Sequence, residues 1–211
     1  MDEIIIEHFK TPVMNEKLAW KNPPNRWEID AERGRLVVFP DDKTDYWQKT
    51  GCGLSTDNGH FLFTECGRDF SLSTHVTYRP ENRYDQAGLM VRASPDFWLK
   101  TSVELEEKGV LMLGTVVTSN GYSDWSTQRY EADPVDIHLQ VERRGDDYTV
   151  STGRNDAERI QIRLCRLKGL NDAPVQCGLY ACSPVSRGFA ASFGSLEIRI
   201  MKPRSPSSST A

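Results

Sequence analysis

The chain has 211 residues, with 26 Lys and Arg against 30 Asp and Glu, a formal charge of −4, 38% hydrophobic residues, 15 Gly and 11 Pro. That length suits one soluble domain rather than two, able to bury about 70% of its unfolded surface without covalent staples. The acidic balance argues against a phosphate-backbone binder, which gathers a basic excess on one face, and leaves room only for a local basic patch.

The N-terminus, Met1 through His8, puts Asp2 and Glu3 where a secretory signal needs Lys or Arg, and its apolar run ends after Ile4, Ile5 and Ile6. No run of roughly 18 apolar residues follows, so no transmembrane helix is expected. Segment 12–30, with Trp20, Pro23, Pro24 and Trp27, reads as an irregular lead-in pinned by its aromatics. The cysteines, Cys52, Cys66, Cys165, Cys177 and Cys182, are odd in number and lack a C-x-x-C pair, which speaks against a disulfide framework and a structural zinc site. Reduced, mostly buried thiols in a cytoplasmic protein are the expectation.

From there on apolar residues recur with period two rather than 3.6. The alternation predicts strands at 35–39, 60–64, 70–78, 86–92, 97–106, 110–118 and 147–151, and at Val135–Glu142, Ile160–Leu164, Val175–Leu179 and Leu196–Ile200. Asp57-Asn58-Gly59, Lys108-Gly109, Asn120-Gly121 and Arg144-Gly145-Asp146-Asp147 supply turn residues tolerant of positive φ. Many short strands without an amphipathic helix imply an all-β fold, a two-sheet antiparallel β-sandwich of jelly-roll type spanning residues 1–202. The Ser- and Pro-rich end, 203–211, cannot bury a core and is expected to be a disordered, solvated tail.

On the strand Trp98 through Glu106, alternation places Trp98, Lys100, Ser102, Glu104 and Glu106 on one face and Leu99, Thr101, Val103 and Leu105 on the core face. Arg92 joins the first set across a hairpin, and the loop from Asn120 to Ser126 returns over it. An aromatic platform among carboxylates, amides and cations is the mixture that binds sugars, whose rings offer apolar faces and fixed hydroxyls. The same pattern also fits a solvated sheet face with a Lys100–Glu104 pair worth under about 1 kcal/mol. Elsewhere the signals are weak. His8, His60, His75 and His138 form no metal-binding spacing, Asp57-Asn58-Gly59 lacks the downstream carboxylate of a calcium loop and reads as a hairpin turn, and no nucleophile elbow or P-loop is present, so neither metal nor cofactor is expected.

Tyr84 through Arg92, Trp98-Leu99-Lys100 with Val103-Glu104, Val116-Val117-Thr118 and Ser123-Asp124-Trp125-Ser126 together resemble the DUF1349 family, with Thr44-Asp45-Tyr46-Trp47 before them and Gly178 through Pro184 and Gly188-Phe189 after. The resemblance spans roughly residues 20–200. It implies a concanavalin A-like jelly roll and a family that includes fungal regulation-of-enolase proteins and proteins encoded near sugar-utilisation enzymes. The family's shared polar and aromatic positions fall here on Asp45, Trp47, Asp85, Gln86, Arg92, Trp98, Lys100, Glu104, Ser123, Asp124 and Trp125. After Tyr148 the sequence departs from the family, with Ser151 through Asp156 in place of a more aromatic strand and turn.

The expected ligand surface on the concave sheet therefore comprises Trp47, Arg92, Trp98, Lys100, Glu104, Asp124 and Trp125. Three readings follow: a non-catalytic sugar- or polyol-binding module with a regulatory role in sugar metabolism, a module that contacts a glycolytic enzyme such as enolase, and a glycoside-acting enzyme using Glu104 and Glu106. The last is the weakest. Those two glutamates stand about 6.6 Å apart along the strand, which two-carboxylate catalysis tolerates. The E-x-D-x-E strand implied by the superfamily is nevertheless absent, since Glu106 and Lys108 occupy its third and fifth positions. Lys100 is also expected to hold Glu104 ionised, opposite to what a general acid needs.

Overall fold

The computed structural model describes residues 3–155, 157–170 and 173–202, so the predicted tail at 203–211 lies outside the described residues. The strands in chain order are β1 (Glu3–Glu7), β2 (Ala19–Lys21), β3 (Arg26–Asp30), β4 (Arg35–Phe39), β5 (Tyr46–Gln48), β6 (Ser55–Asp57), β7 (His60–Cys66), β8 (Phe70–Tyr78) and β9 (Gln86–Ser94). They continue with β10 (Phe97–Leu105), β11 (Leu111–Ser119), β12 (Tyr122–Tyr130), β13 (Val135–Arg144), β14 (Asp147–Thr152), β15 (Ile160–Arg166), β16 (Val175–Cys182), β17 (Ala191–Phe193) and β18 (Leu196–Ile200). Among the described residues a single 3-10 turn, Glu107–Gly109, interrupts them, and no helix is long and apolar enough to cross a membrane.

One sheet has nine strands in the order β15-β14-β13-β8-β17-β4-β3, with β18 also beside β8 and β1 beside β18; a second has seven in the order β12-β11-β10-β9-β16-β7-β2. The two pack face to face as the expected antiparallel sandwich of concanavalin A-like jelly-roll type. Between them lies a core that takes Leu72, Val76, Leu139 and Val141 from the first sheet and Leu89, Val91, Leu99, Val103 and Leu179 from the second. Strict alternation of buried and partly exposed residues along β8 and β13 reflects a sheet with one dry face and one wet one. Tyr78, at the end of β8, crosses the sandwich: its hydroxyl lies against the Ala87 and Val103 carbonyls and accepts a hydrogen bond from the Val103 N–H at 3.2 Å.

In β9 and β10, by contrast, consecutive residues are buried, so these strands are dry on both faces. The polar face, open in the sequence to a ligand platform or a solvated surface, carries a second apolar cluster made of Tyr46, Phe61, Met90, Trp98, Val116, Tyr180 and Cys182. Its cover is the separate two-stranded sheet of β5 and β6.

Other expectations needed correction. The stretch after Asn120-Gly121 is not a loop but the edge strand β12, entered through a two-residue turn in which Asn120 (φ 55°) and Gly121 (φ 73°) both adopt the left-handed region that such hairpins require. The lead-in at 12–30 contributes β2 and β3 and pairs Trp20 with Trp27 at 6.1 Å. Asp57-Asn58-Gly59 does not close a hairpin, because β6 pairs with β5 while β7 pairs with β16 and β2.

Tyr78→Phe removes the inter-sheet hydrogen bonds while keeping the ring, and should cost about 1–3 kcal/mol, or roughly 2–12 °C in Tm for a chain of this size. A thermal melt of the variant, followed by near-ultraviolet circular dichroism, checks this.

Candidate functional site

The face of β10 that carries Trp98, Lys100, Ser102 and Glu104 sits in register with Arg92, Met90, Gly88 and Gln86 on β9 and with Thr118, Val116, Gly114 and Met112 on β11. Buried charge on this face draws the roof down. Lys100 Nζ, almost wholly shielded from water, pairs with Asp45 Oδ1 at 3.1 Å and donates to Gln86 Oε1 at 2.8 Å. Arg92 grips Asp57 with two contacts, Nη2 to Oδ2 at 2.7 Å and Nε to Oδ1 at 3.3 Å. These two pairs fix the chain just before β5 and the end of β6. Asn58 secures the return by accepting from the Asp45 N–H and donating to the Lys43 carbonyl, while the Gln48 N–H donates to Ser123 Oγ on β12.

Beneath this roof lies a cavity of about 370 Å³ walled by aromatic and polar groups together. Trp47 and Trp125 meet edge to face at 6.4 Å and 83°, and Tyr84 approaches Trp125 at 6.4 Å and 73°. Gly114 makes space for the Trp125 indole, since a Cβ there would stand 2.8 Å from its Nε1. The polar wall holds Asp45, Gln86, Lys100 and Glu104. A hydrogen-bond chain runs behind it: Gln86 Oε1 lies 3.0 Å from the Tyr180 hydroxyl, which lies 2.7 Å from Ser102 Oγ, which in turn donates to Glu104 Oε1 at 3.4 Å.

Burial lifts the Glu104 carboxyl to about 7, and Lys100, which pulls the other way, does not overcome it. This reverses the expectation of an ionised Glu104. The reason is that Lys100 is committed to Asp45, with no ion pair to Glu104, and a desolvated carboxylate prefers its neutral form. For Lys100 burial acts downward, but the carboxylates of Asp45 and Glu104 outweigh it and keep the amine above its ordinary value. The Tyr180 hydroxyl and the Cys182 thiol are both pushed well up by burial. Among the described residues, one Lys100 donor and the second Glu104 oxygen carry no hydrogen bond, and both groups border the cavity.

Of the seven residues expected on one surface, Trp47, Lys100, Glu104 and Trp125 line the cavity and three do not. Trp98 is fully buried below it, edge-on to Tyr46 at 6.2 Å, with its indole N–H on the Pro95 carbonyl. Arg92 is held by Asp57. Asp124 faces away and pairs with Arg163 at 2.7 Å, because alternation along β12 sends it to the side opposite Ser123. Glu106 falls just beyond the end of β10 and meets Arg83 at 3.5 Å, so the Glu104/Glu106 pair is not assembled at the cavity. Tyr84, Leu54, Thr56, Pro184 and Val185 line it as well. Of these, Tyr84 opens a recognisable motif, whereas Leu54 and Val185 are exposed apolar residues in loops with no periodic signal.

His60 is neutral, its pKa lowered by burial, and it bridges the Asp41 N–H and the Asn22 carbonyl without reaching the cavity. Asp85 accepts from the Glu81 and Asn82 N–H groups and shapes the turn before β9. The five thiols are free, with Cys52 exposed at the cavity wall. Among the described residues no group of three or more His, Cys, Asp or Glu side chains is placed to hold a metal.

The raised Glu104 pKa makes the fold favour a protonated carboxyl. Its contribution is fully present below the unfolded value of about 4.3 and is lost as pH rises through about 7. Glu104→Gln, which keeps the neutral shape, should therefore flatten this fall, and the gain in Tm over the parent should grow between pH 5 and pH 8, roughly the interval that linkage predicts. Melts across that range measure it.

Residues 20–200 match the family described as "Protein of unknown function (DUF1349)". Regulation of enolase protein 1 of Saccharomyces cerevisiae is 34% identical over 175 residues, covering 83% of this chain and 85% of that protein. The crystal structure of a functionally unknown protein from Saccharomyces cerevisiae superposes with a TM-score of 0.80 at 31% identity, over 88% of this chain and 97% of the other. A glycoside hydrolase, Bacteroides ovatus xyloglucan PUL GH43B, shares the fold alone, with a TM-score of 0.74 at 16% identity over 95% of this chain and 40% of that one. The chain belongs to the DUF1349 family.

Proposed function

We propose that the chain is a non-catalytic module that binds a neutral sugar or small polyol in the roofed cavity and acts as a regulatory component of sugar metabolism. The observation that carries this reading is the pairing, in one cavity of about 370 Å³, of three aromatic rings, Trp47 and Tyr84 each edge to face with Trp125, with a buried ammonium, amide and carboxyl. Ring faces suit the C–H surfaces of a sugar or polyol, while Lys100 and Gln86 offer donors and Glu104 an acceptor, or a donor when protonated, to hydroxyl groups. With Lys100 neutralised by Asp45 and Glu104 largely uncharged below neutrality, the wall carries little net charge, which favours an uncharged ligand.

Titration of tryptophan fluorescence with a panel of monosaccharides and linear polyols tests the reading. Saturable binding by at least one compound is expected, weakened about ten-fold or more in Trp125→Ala, a loss of roughly 1.4 kcal/mol, with little change in Tm. Trp98→Ala should instead lower stability by about 3–5 kcal/mol, as for any buried tryptophan. Absence of binding across the panel, or affinity indifferent to Trp125→Ala, overturns it.

A second reading, contact with a glycolytic enzyme such as enolase, draws on the name of the yeast relative and on Leu54 and Val185, exposed apolar residues at the cavity rim. If it holds, purified enolase should co-elute with the chain in size-exclusion chromatography, and the double variant Leu54→Asp, Val185→Asp should abolish co-elution.

A further inference from the structure

A cleft of about 380 Å³ that shares no residue with the roofed cavity is walled by His8, Lys10, Arg33, Arg35 and His75, and no carboxylate lines it. Four segments build it, one of them β8 through His75. Phe9 is buried and holds φ at 52°, with its N–H on Glu7 Oε1 at 2.7 Å, which leaves His8 and Lys10 exposed on either side of an anchored ring. The turn between β3 and β4 packs against them so closely that a Cβ on Gly34 would stand 2.9 Å from the His8 carbonyl and 3.5 Å from Lys10 Cγ. The link between β17 and β18 closes the third side. A Cβ on Gly194 would lie 3.0 Å from Arg35 Nη1 and 3.3 Å from His75 Nδ1, so the bare glycine lets a guanidinium and an imidazole converge.

Two of these side chains are already matched: Arg33 pairs with Asp30 at 2.9 Å and His75 Nε2 lies 2.6 Å from Asp136 Oδ1. Lys10 and Arg35 have no ion pair and no hydrogen bond among the described residues, and Arg35 Nη1 is shielded from water with no acceptor. A shielded N–H without a partner is a standing cost that an incoming oxygen removes. In a chain of net charge −4, unmatched cations gathered in one concave place are not explained by the overall balance.

We infer that this cleft binds the phosphate group of a small soluble phosphomonoester. A planar guanidinium fork together with an ammonium suits the three terminal oxygens and double charge of a phosphomonoester, and the Ser195 hydroxyl at the wall is a further donor. The inference does not depend on the sugar reading, since none of the residues involved lines the roofed cavity.

Amide NMR of the full chain, titrated with inorganic phosphate and with glycerol 3-phosphate, tests it. The Gly34 and Gly194 resonances should move saturably with both, and should not follow sodium chloride at matched ionic strength. Arg35→Gln should weaken the response about ten-fold or more and Lys10→Gln about three-fold, while Arg129→Gln, an exposed residue paired with Glu131, leaves it unchanged. Lys10→Gln, at an exposed position, keeps the test decisive if Arg35→Gln fails to fold. Shifts that chloride reproduces, a response untouched by either variant, or binding only to phosphatidic acid vesicles overturns the inference.

Discussion

The structure on the roofed face of the second sheet depends on the need to neutralise one buried ammonium. Lys100 lies mid-strand in β10, where both faces of the sheet are dry, and an unpaired charge there would cost several kcal/mol. Asp45 meets that need from a distant part of the chain, and in doing so fixes the start of the segment that roofs the sheet. Arg92 and Asp57 repeat the arrangement at the other end of the same segment. The cavity is the space these two pairs leave between roof and sheet, so the electrostatics of folding and the shape of the site have one origin.

That origin explains why the wall is chemically mixed. Apolar contacts from Tyr46, Trp98 and Tyr180 form a second small core beneath the roof, while the groups nearest the open space are polar. Glu104 lies at the junction of these two environments. It is buried enough for desolvation to dominate its titration, yet it borders the cavity, and its hydrogen-bond chain through Ser102 and Tyr180 ends on the amide that also receives Lys100. A ligand touching Glu104 would thus contact the network that anchors the roof.

Much of the sandwich is legible in the sequence because period-two alternation reports one buried face directly: β4, β8 and β18 begin and end where the pattern does. β12 is not legible, since Tyr122 through Tyr130 is an edge strand of polar residues and lacks an apolar face to announce it. The site divides along the same line. Lys100, Glu104 and Trp125 follow from strand parity and a motif, but parity cannot say whether a polar face is wet or roofed, and so Trp98 reads as a platform when it is a packed core residue. Asp124 shows the opposite failure, a motif residue whose side of the sheet depends on a strand that composition does not reveal.

The roof itself is a two-stranded ribbon, β5 with β6, hydrogen-bonded to neither large sheet through a strand ladder. Two-stranded ribbons are marginal on their own, so this one stays down through a handful of side-chain anchors and the seating of Tyr46. Segments held in this way open at a fraction of the free energy of global unfolding. A molecule lodged beneath the ribbon and bonded to the anchoring groups would favour the seated ribbon over the opened one. The stability of this short ribbon would then report on occupancy of the cavity more directly than that of the sheets beneath it.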